Sequence, residues 1–294
     1  MNIQTAFFKA TDGVELKGII YNSSNHTKKV LISIHGMATN FIKKRDEKIA
    51  EKLNELNIDF LAFNNRGHDL ISYIKKSEKE KEELAGTSYE DISECYEDIL
   101  GAINYVIQKG YNEIYLMGHS LGSTKTIYAY NKLLKENKQI VEKIKGIILL
   151  SLVDIPLAAK VYLQDNLPAM VTYARNMKKE GMENQLMPEK SFIHPISIKT
   201  FLRYTIENED INFARFSDDS YDFKELNNIK IPLFMRWGNN KELILQSAKQ
   251  LCDFLKGKIL NPKLDIGYID GANHNYSGKE EILAEEIFEF IKNI

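Results

Sequence analysis

Two short runs near the start of the chain, 3–9 and 14–21, are rich in alternating and β-branched positions. Thr11-Asp12-Gly13 between them has turn chemistry, so the pair predicts a β-hairpin. Downstream the period of the pattern switches back and forth. Short apolar, β-rich runs at 30–34, 58–63, 113–117, 144–150, 231–237 and 263–269 read as strands, and 44–56, 89–107, 121–135, 245–255 and 279–291 between them read as helices. In 89–107, for example, Ile92, Tyr96, Ile99, Ile103 and Val106 form one helical stripe. This alternation predicts an α/β fold, a mostly parallel central sheet with helices on both faces. One stretch breaks the rhythm. Residues 154–226 hold helix-like segments and no convincing strand, punctuated by Pro156, Pro168, Pro188 and Pro195. They predict a helical cap inserted into a core made of 1–153 and 227–294. The mixed-sign run 75–83 is expected to be a solvated face or loop.

Composition narrows the function classes. The 294 residues carry 39 Lys+Arg against 41 Asp+Glu, a formal charge of −2, which supplies no field for holding a polyanion, so no nucleic-acid partner is expected. A hydrophobic share of 44% is ample for a packed core and excludes general disorder. Cys95 and Cys252 cannot build a disulfide framework. No run approaches the roughly 18 apolar residues of a membrane span, and no secretory signal pattern opens the chain, so a cytoplasmic location is expected. Neither a metal-ligand spacing nor a phosphate-cradling glycine loop appears; no cofactor and no metal are expected.

The chemistry concentrates at Gly118-His119-Ser120-Leu121-Gly122, a G-x-S-x-G sequence that follows a predicted strand and opens a predicted helix. That setting places a serine on a sharp elbow with Oγ exposed, and the tight turn leaves no room for Cβ atoms on either side. A serine hydroxyl needs a base, and His274, between the strand 263–269 and the last helix, sits where parallel sheets bind ligands, at the C-terminal edge. Acyl transfer also needs N–H donors for the developing oxyanion. The backbone of Leu121 and that of Met37, in the turn His35-Gly36-Met37 after the strand 30–34, are the expected pair.

Taken in order, His35-Gly36, Arg66-Gly67-His68, Gly118-His119-Ser120-Leu121-Gly122 and His274 resemble the α/β-hydrolase fold superfamily, in its capped serine-hydrolase branch with esterase, lipase-like and aminopeptidase-like members. The resemblance covers nearly the whole chain apart from 154–226. In that family the arginine-glycine turn is structural, and Arg66 is read so. The family carries a triad aspartate in a G-x-x-D pattern after the strand read here as 231–237. This chain departs from it: Gly238-Asn239-Asn240-Lys241-Glu242 puts Lys241 in the slot. Glu242, one residue on and one methylene longer, is the expected acid, with Asp154 as the alternative. The resemblance implies a serine hydrolase that cleaves a carboxylic ester of small or medium acyl chain, with a small-molecule ester as partner. A peptidase or amidase of the same fold is a second reading. A binding protein that kept the fold and lost catalysis is the third, with Lys241 as its support.

Overall fold

The computed structural model describes residues 1–76 and 81–294; Ser77 to Glu80, and with them part of the charge run 75–83, lie outside the described residues. The strands are β1 (Asn2–Lys9), β2 (Glu15–Asn22), β3 (Lys29–Ile34), β4 (Asp59–Asn64), β5 (Ser72–Ile74), β6 (Glu83–Ala85), β7 (Glu113–His119), β8 (Ile144–Leu150), β9 (Leu233–Gly238) and β10 (Leu264–Ile269). Eight of them form one sheet in the order β1-β2-β4-β3-β7-β8-β9-β10. β2 pairs antiparallel with both β1 and β4, and every other pairing in that sheet is parallel. The first two strands make the expected hairpin, with Lys9 opposite Glu15 and Gly13 at φ +95° in the turn. β5 and β6 form a small antiparallel ribbon that the sequence pattern did not reveal.

The helices are α1 (Lys44–Leu53), α2 (Cys95–Gln108), α3 (Leu121–Glu136), α4 (Lys138–Val141), α5 (Ile155–Leu163), α6 (Leu167–Lys179), α7 (Ile198–Thr205), α8 (Lys224–Asn227), α9 (Ala248–Lys258) and α10 (Glu280–Lys292). Strand side chains alternate between two cores, as a period of two requires. Val30, Ile32 and Ile34 of β3 pack with Ile99 and Ile103 of α2 and Ile127 of α3. Leu31 faces the other way, with Ile49 and Leu53 of α1 and Leu283 and Ile287 of α10. β8 divides likewise, Ile147 and Leu149 to one side, Ile148 and Leu150 to the other. Both faces of the central strands are therefore dry, which is why they read as continuous apolar runs rather than alternating ones.

Two helices begin later than the periodicity suggests, and both delays have a cause. Instead of starting at residue 89, α2 starts at Cys95. Ser88 donates to Pro195 O at 2.6 Å, Glu90 pairs with Lys125, and Asp91 accepts from Ser93 N–H at 2.9 Å to cap a short 3₁₀ turn. α9 starts at Ala248 behind a capping box of Ser247 and Gln250, and the residues before it carry Glu242. Between β8 and β9 the chain runs through α5, α6, α7 and α8, and the only pairing outside the sheets among the described residues is the bridge of Leu186 with Ser197. Phe201, Leu202 and Ala174 of this stretch share one continuous core with α2 and α3. No helix among the described residues is long and apolar enough to cross a membrane.

Candidate active site

Ser120 lies between the end of β7 and the first turn of α3 with φ +56° and ψ −124°, a conformation that costs about 1–3 kcal/mol for a residue with a Cβ. Its surroundings hold it there. The Ser120 N–H donates to Leu150 O at 2.8 Å, and Ser123 Oγ sits 2.9 Å from both Gly118 O and Leu150 O. The two glycines of the motif are steric necessities: a Cβ on Gly118 would stand 2.3 Å from Gly122 O, and one on Gly122 would stand 2.1 Å from Ile34 O.

His274 follows β10 and reaches back over the elbow, with Nε2 3.0 Å from Ser120 Oγ. Its Nδ1 hydrogen-bonds Glu242 Oε1. With Nδ1–H committed to the carboxylate, Nε2 is left as acceptor toward the serine hydroxyl, the orientation a general base requires. Glu242 also accepts from Leu243 N–H at 3.0 Å, Gly238 N–H at 3.1 Å and Ser151 Oγ at 2.8 Å. Burial opposes the charge on this carboxyl. The bond and charge of His274, with the Leu243 and Ser151 donors, outweigh it and hold Glu242 below its ordinary range. Lys241 explains how a carboxylate one residue past the usual slot arrives in place: Asn240 N–H is tied to Ala272 O at 2.9 Å, and Lys241 then turns the chain through φ +53°.

The alternative acid is placed elsewhere. Asp154 caps α5 by accepting from Leu157 N–H at 3.1 Å, and its hydrogen-bond partners do not include His274. Burial lifts its carboxyl to about 6 against the donors around it. Met37 and Leu121 both line the cavity that contains Ser120 and His274. The Leu121 N–H opens α3, where helix geometry supplies no partner. The Met37 N–H has no backbone hydrogen bond among the described residues. The turn that carries Met37 is pinned from both sides. His35 Nδ1 donates to Gly36 O at 2.9 Å while Nε2 accepts from Asn65 N–H at 3.2 Å, and burial, which lowers His35 to about 3, keeps that ring neutral. Ala38 N–H donates to Thr87 Oγ1 at 2.7 Å.

Three supporting residues escaped the sequence reading. His119 Nε2 donates to His274 O at 2.7 Å, and burial, aided by Arg45 nearby, holds that imidazole far below its usual range and thus neutral. Ser151, at φ +46°, donates to Glu242, and Tyr276 Oη donates to Arg236 O at 2.7 Å beneath the histidine loop. His119 and Ser151 had a visible cue, their place at the C-terminal end of a parallel strand, and Tyr276 had none. Arg66 is structural, as read: it pairs with Asp98 at 2.8 Å and with both oxygens of Asp12 at 3.0 Å. Cys95 is no rival nucleophile, since complete burial drives its thiol well up. Among the described residues no group of three or more His, Cys, Asp or Glu side chains is arranged to hold a metal.

Sheet order, strand-turn-helix elbow and the histidine loop together define an α/β-hydrolase fold. The chain is similar over 98% of both chains to Est1E from Butyrivibrio proteoclasticus with ferulic acid bound (TM-score 0.65, 17% identity). It is similar to the α/β hydrolase GrgF from Penicillium sp. sh18 over 100% and 99% (TM-score 0.67, 16% identity). A highly thermostable carboxyl esterase from Bacillus coagulans in complex with glycerol matches over the same shares (TM-score 0.64, 14% identity). Identities this low speak to the fold. No curated protein matches the chain. The chain belongs to DUF1749, a family described as a protein of unknown function, whose pattern matches residues 85–293.

Proposed function

We propose that this protein is a serine hydrolase of carboxylic esters with a small or medium acyl chain. Ser120 attacks the ester carbonyl as His274 Nε2 takes its proton, and the same proton is returned to the departing alcohol. Glu242 fixes the imidazole tautomer and stabilises the imidazolium. The N–H groups of Met37 and Leu121 receive the oxyanion, and water activated by His274 then releases the acid from Ser120. The observation that carries the reading is the unbroken chain Glu242–His274–Ser120 ending in a 3.0 Å Nε2···Oγ contact inside a cavity. Esterase and carboxyl-esterase neighbours of the same fold support it.

A cavity of about 220 Å³ favours small substrates, being below the usual range of drug-sized ligand sites. Val153, Ile155, Ala158 and Phe192 supply its apolar wall, and we assign 154–226 the role of the cap that sets specificity over the core of 1–153 and 227–294. The bond of Glu242 to His274 supports catalysis over the binding-protein reading that Lys241 suggested. The test is labelling of the folded protein with a fluorophosphonate probe, together with hydrolysis of p-nitrophenyl butyrate. Wild type is expected to be labelled at Ser120 and to turn over, and Ser120→Ala to do neither. A folded wild type that resists the probe and spares the ester overturns the reading.

A further inference from the structure

The lining of the cavity over Ser120 is of two unlike kinds: apolar Val153, Ile155 and Phe192, and polar Thr39, Lys43 and Arg45, which run from the segment after the Met37 turn into the first turn of α1. No carboxylate is among the residues lining the cavity. Arg45 is buried and spends Nε and Nη2 on Asp46 Oδ1, at 2.8 and 2.7 Å, leaving Nη1 without a partner among the described residues. Half-buried Lys43 makes no ion pair within 4 Å among the described residues. The nearest carboxylates that face it are committed: Asp46 to Arg45 and Ser33, Asp69 to His68 and Asn40. The Thr39 hydroxyl is fully buried with no hydrogen-bond partner.

An orphaned buried hydroxyl is costly unless something occupies it, and a cation facing a small, partly dry cavity attracts an anion more strongly than one in water. We propose that the ester this site takes carries a carboxylate, seated against Thr39, Lys43 and Arg45, with its apolar part against the cap. This rests on the ester-hydrolase reading and names its substrate class. Asp46 offsets Arg45, and Asp69 faces Lys43 from outside the lining, so the seat carries at most one net positive charge. That suits a monoanionic carboxylate rather than a phosphate dianion. Thr39 Oγ–H, the Lys43 ammonium and Arg45 Nη1 supply three donors for its two oxygens.

Matched pairs of esters test it, followed by acid release. Monoethyl glutarate against ethyl valerate places the charge on the acyl arm, and 3-acetoxypropanoate against butyl acetate places it on the alcohol arm. In wild type the anion is preferred in kcat/KM by about tenfold or more in one of the two pairs, which also tells which arm faces Lys43. That ratio falls about tenfold in Lys43→Gln, falls severalfold in Thr39→Val, and shrinks with added salt. Anion ratios at or below one in both pairs overturn the proposal. Calorimetry on Ser120→Ala with monomethyl glutarate and dimethyl glutarate reads the seat without turnover. Tighter binding of the monoacid, weakened by Lys43→Gln, upholds the carboxylate seat even if no ester is hydrolysed, a result that would count against the hydrolase reading alone. Equal binding of the two overturns the seat whatever the esters do.

Discussion

Glu242 is ringed by four donors, while Asp154, though buried close to the same cavity wall, has its donors on its own helix and the loop beside it. Their ionisation diverges accordingly, one carboxyl held down and the other raised to about 6. Glu242→Gln is therefore expected to lower kcat by about 10³- to 10⁴-fold through loss of the correct imidazole tautomer, whereas Asp154→Asn keeps most of the activity. Steady-state kinetics of the two variants on one ester decides, and equal loss in both overturns the assignment. Asp154 has a second consequence, in stability. Its folded pKa of about 6 lies above the ordinary 3.8, so between those values the folded state holds more protons than the unfolded one. Stability from this group is thus greatest at low pH and declines as pH rises from about 4 to 6. The decline amounts to on the order of 2–3 kcal/mol. Urea unfolding of wild type and Asp154→Asn across that window is expected to show the decline in the first and not in the second.

At the scale of elements, the elbow works because β3, β7 and α3 approach one another too closely for side chains at two positions. Gly122→Ala drives a Cβ to 2.1 Å from the Ile34 carbonyl, backbone that has no far end to swing aside. A destabilisation of about 1–3 kcal/mol is expected, together with a kcat loss of about 100-fold as Ser120 shifts from His274 Nε2. Thermal melts with kinetics check both. The sheet and its covering helices were legible because burial on both faces leaves a plain apolar signature in β3, β7 and β8. The delayed start of α2 was not, because apolar spacing continues through Ile92 while long-range bonds of Ser88 and Glu90 hold that backbone out of the helix. The serine and the histidine were readable from local motifs at strand ends. The route by which Glu242 reaches His274 was hidden in one left-handed residue, Lys241, which spacing does not encode. Thr39, Lys43 and Arg45 look in sequence like the polar start of a surface helix, and only the cavity gathers them.

Across the whole molecule a buried polar chain ties the halves of the site together. Asn65 contacts His35 on the Met37 turn and Lys125 on α3 at 3.0 Å, Lys125 pairs with Glu90, and Glu90 accepts from Tyr204 Oη of α7 at 3.3 Å. Lys125 is wholly buried and Glu90 nearly so, so removing one partner strands the other charge in the interior. Glu90→Ala is expected to cost about 3–5 kcal/mol, a fall in Tm of roughly 10 °C for a chain of this size, measurable by calorimetric melting. An unchanged Tm would show the pair to be energetically idle.

The core that residues 154–226 share with α2 and α3 also bears on how such a protein could be re-engineered. Recombining caps between relatives assumes a lid that lifts off cleanly at two seams. Here a graft cut at the ends of 154–226 would remove Tyr204 from Glu90, Pro195 from Ser88, and Phe201 and Leu202 from the face of α2 and α3. A chimera that transplants the segment alone inherits an unmatched socket; one that moves residues 88–90 and Lys125 with it carries the socket along.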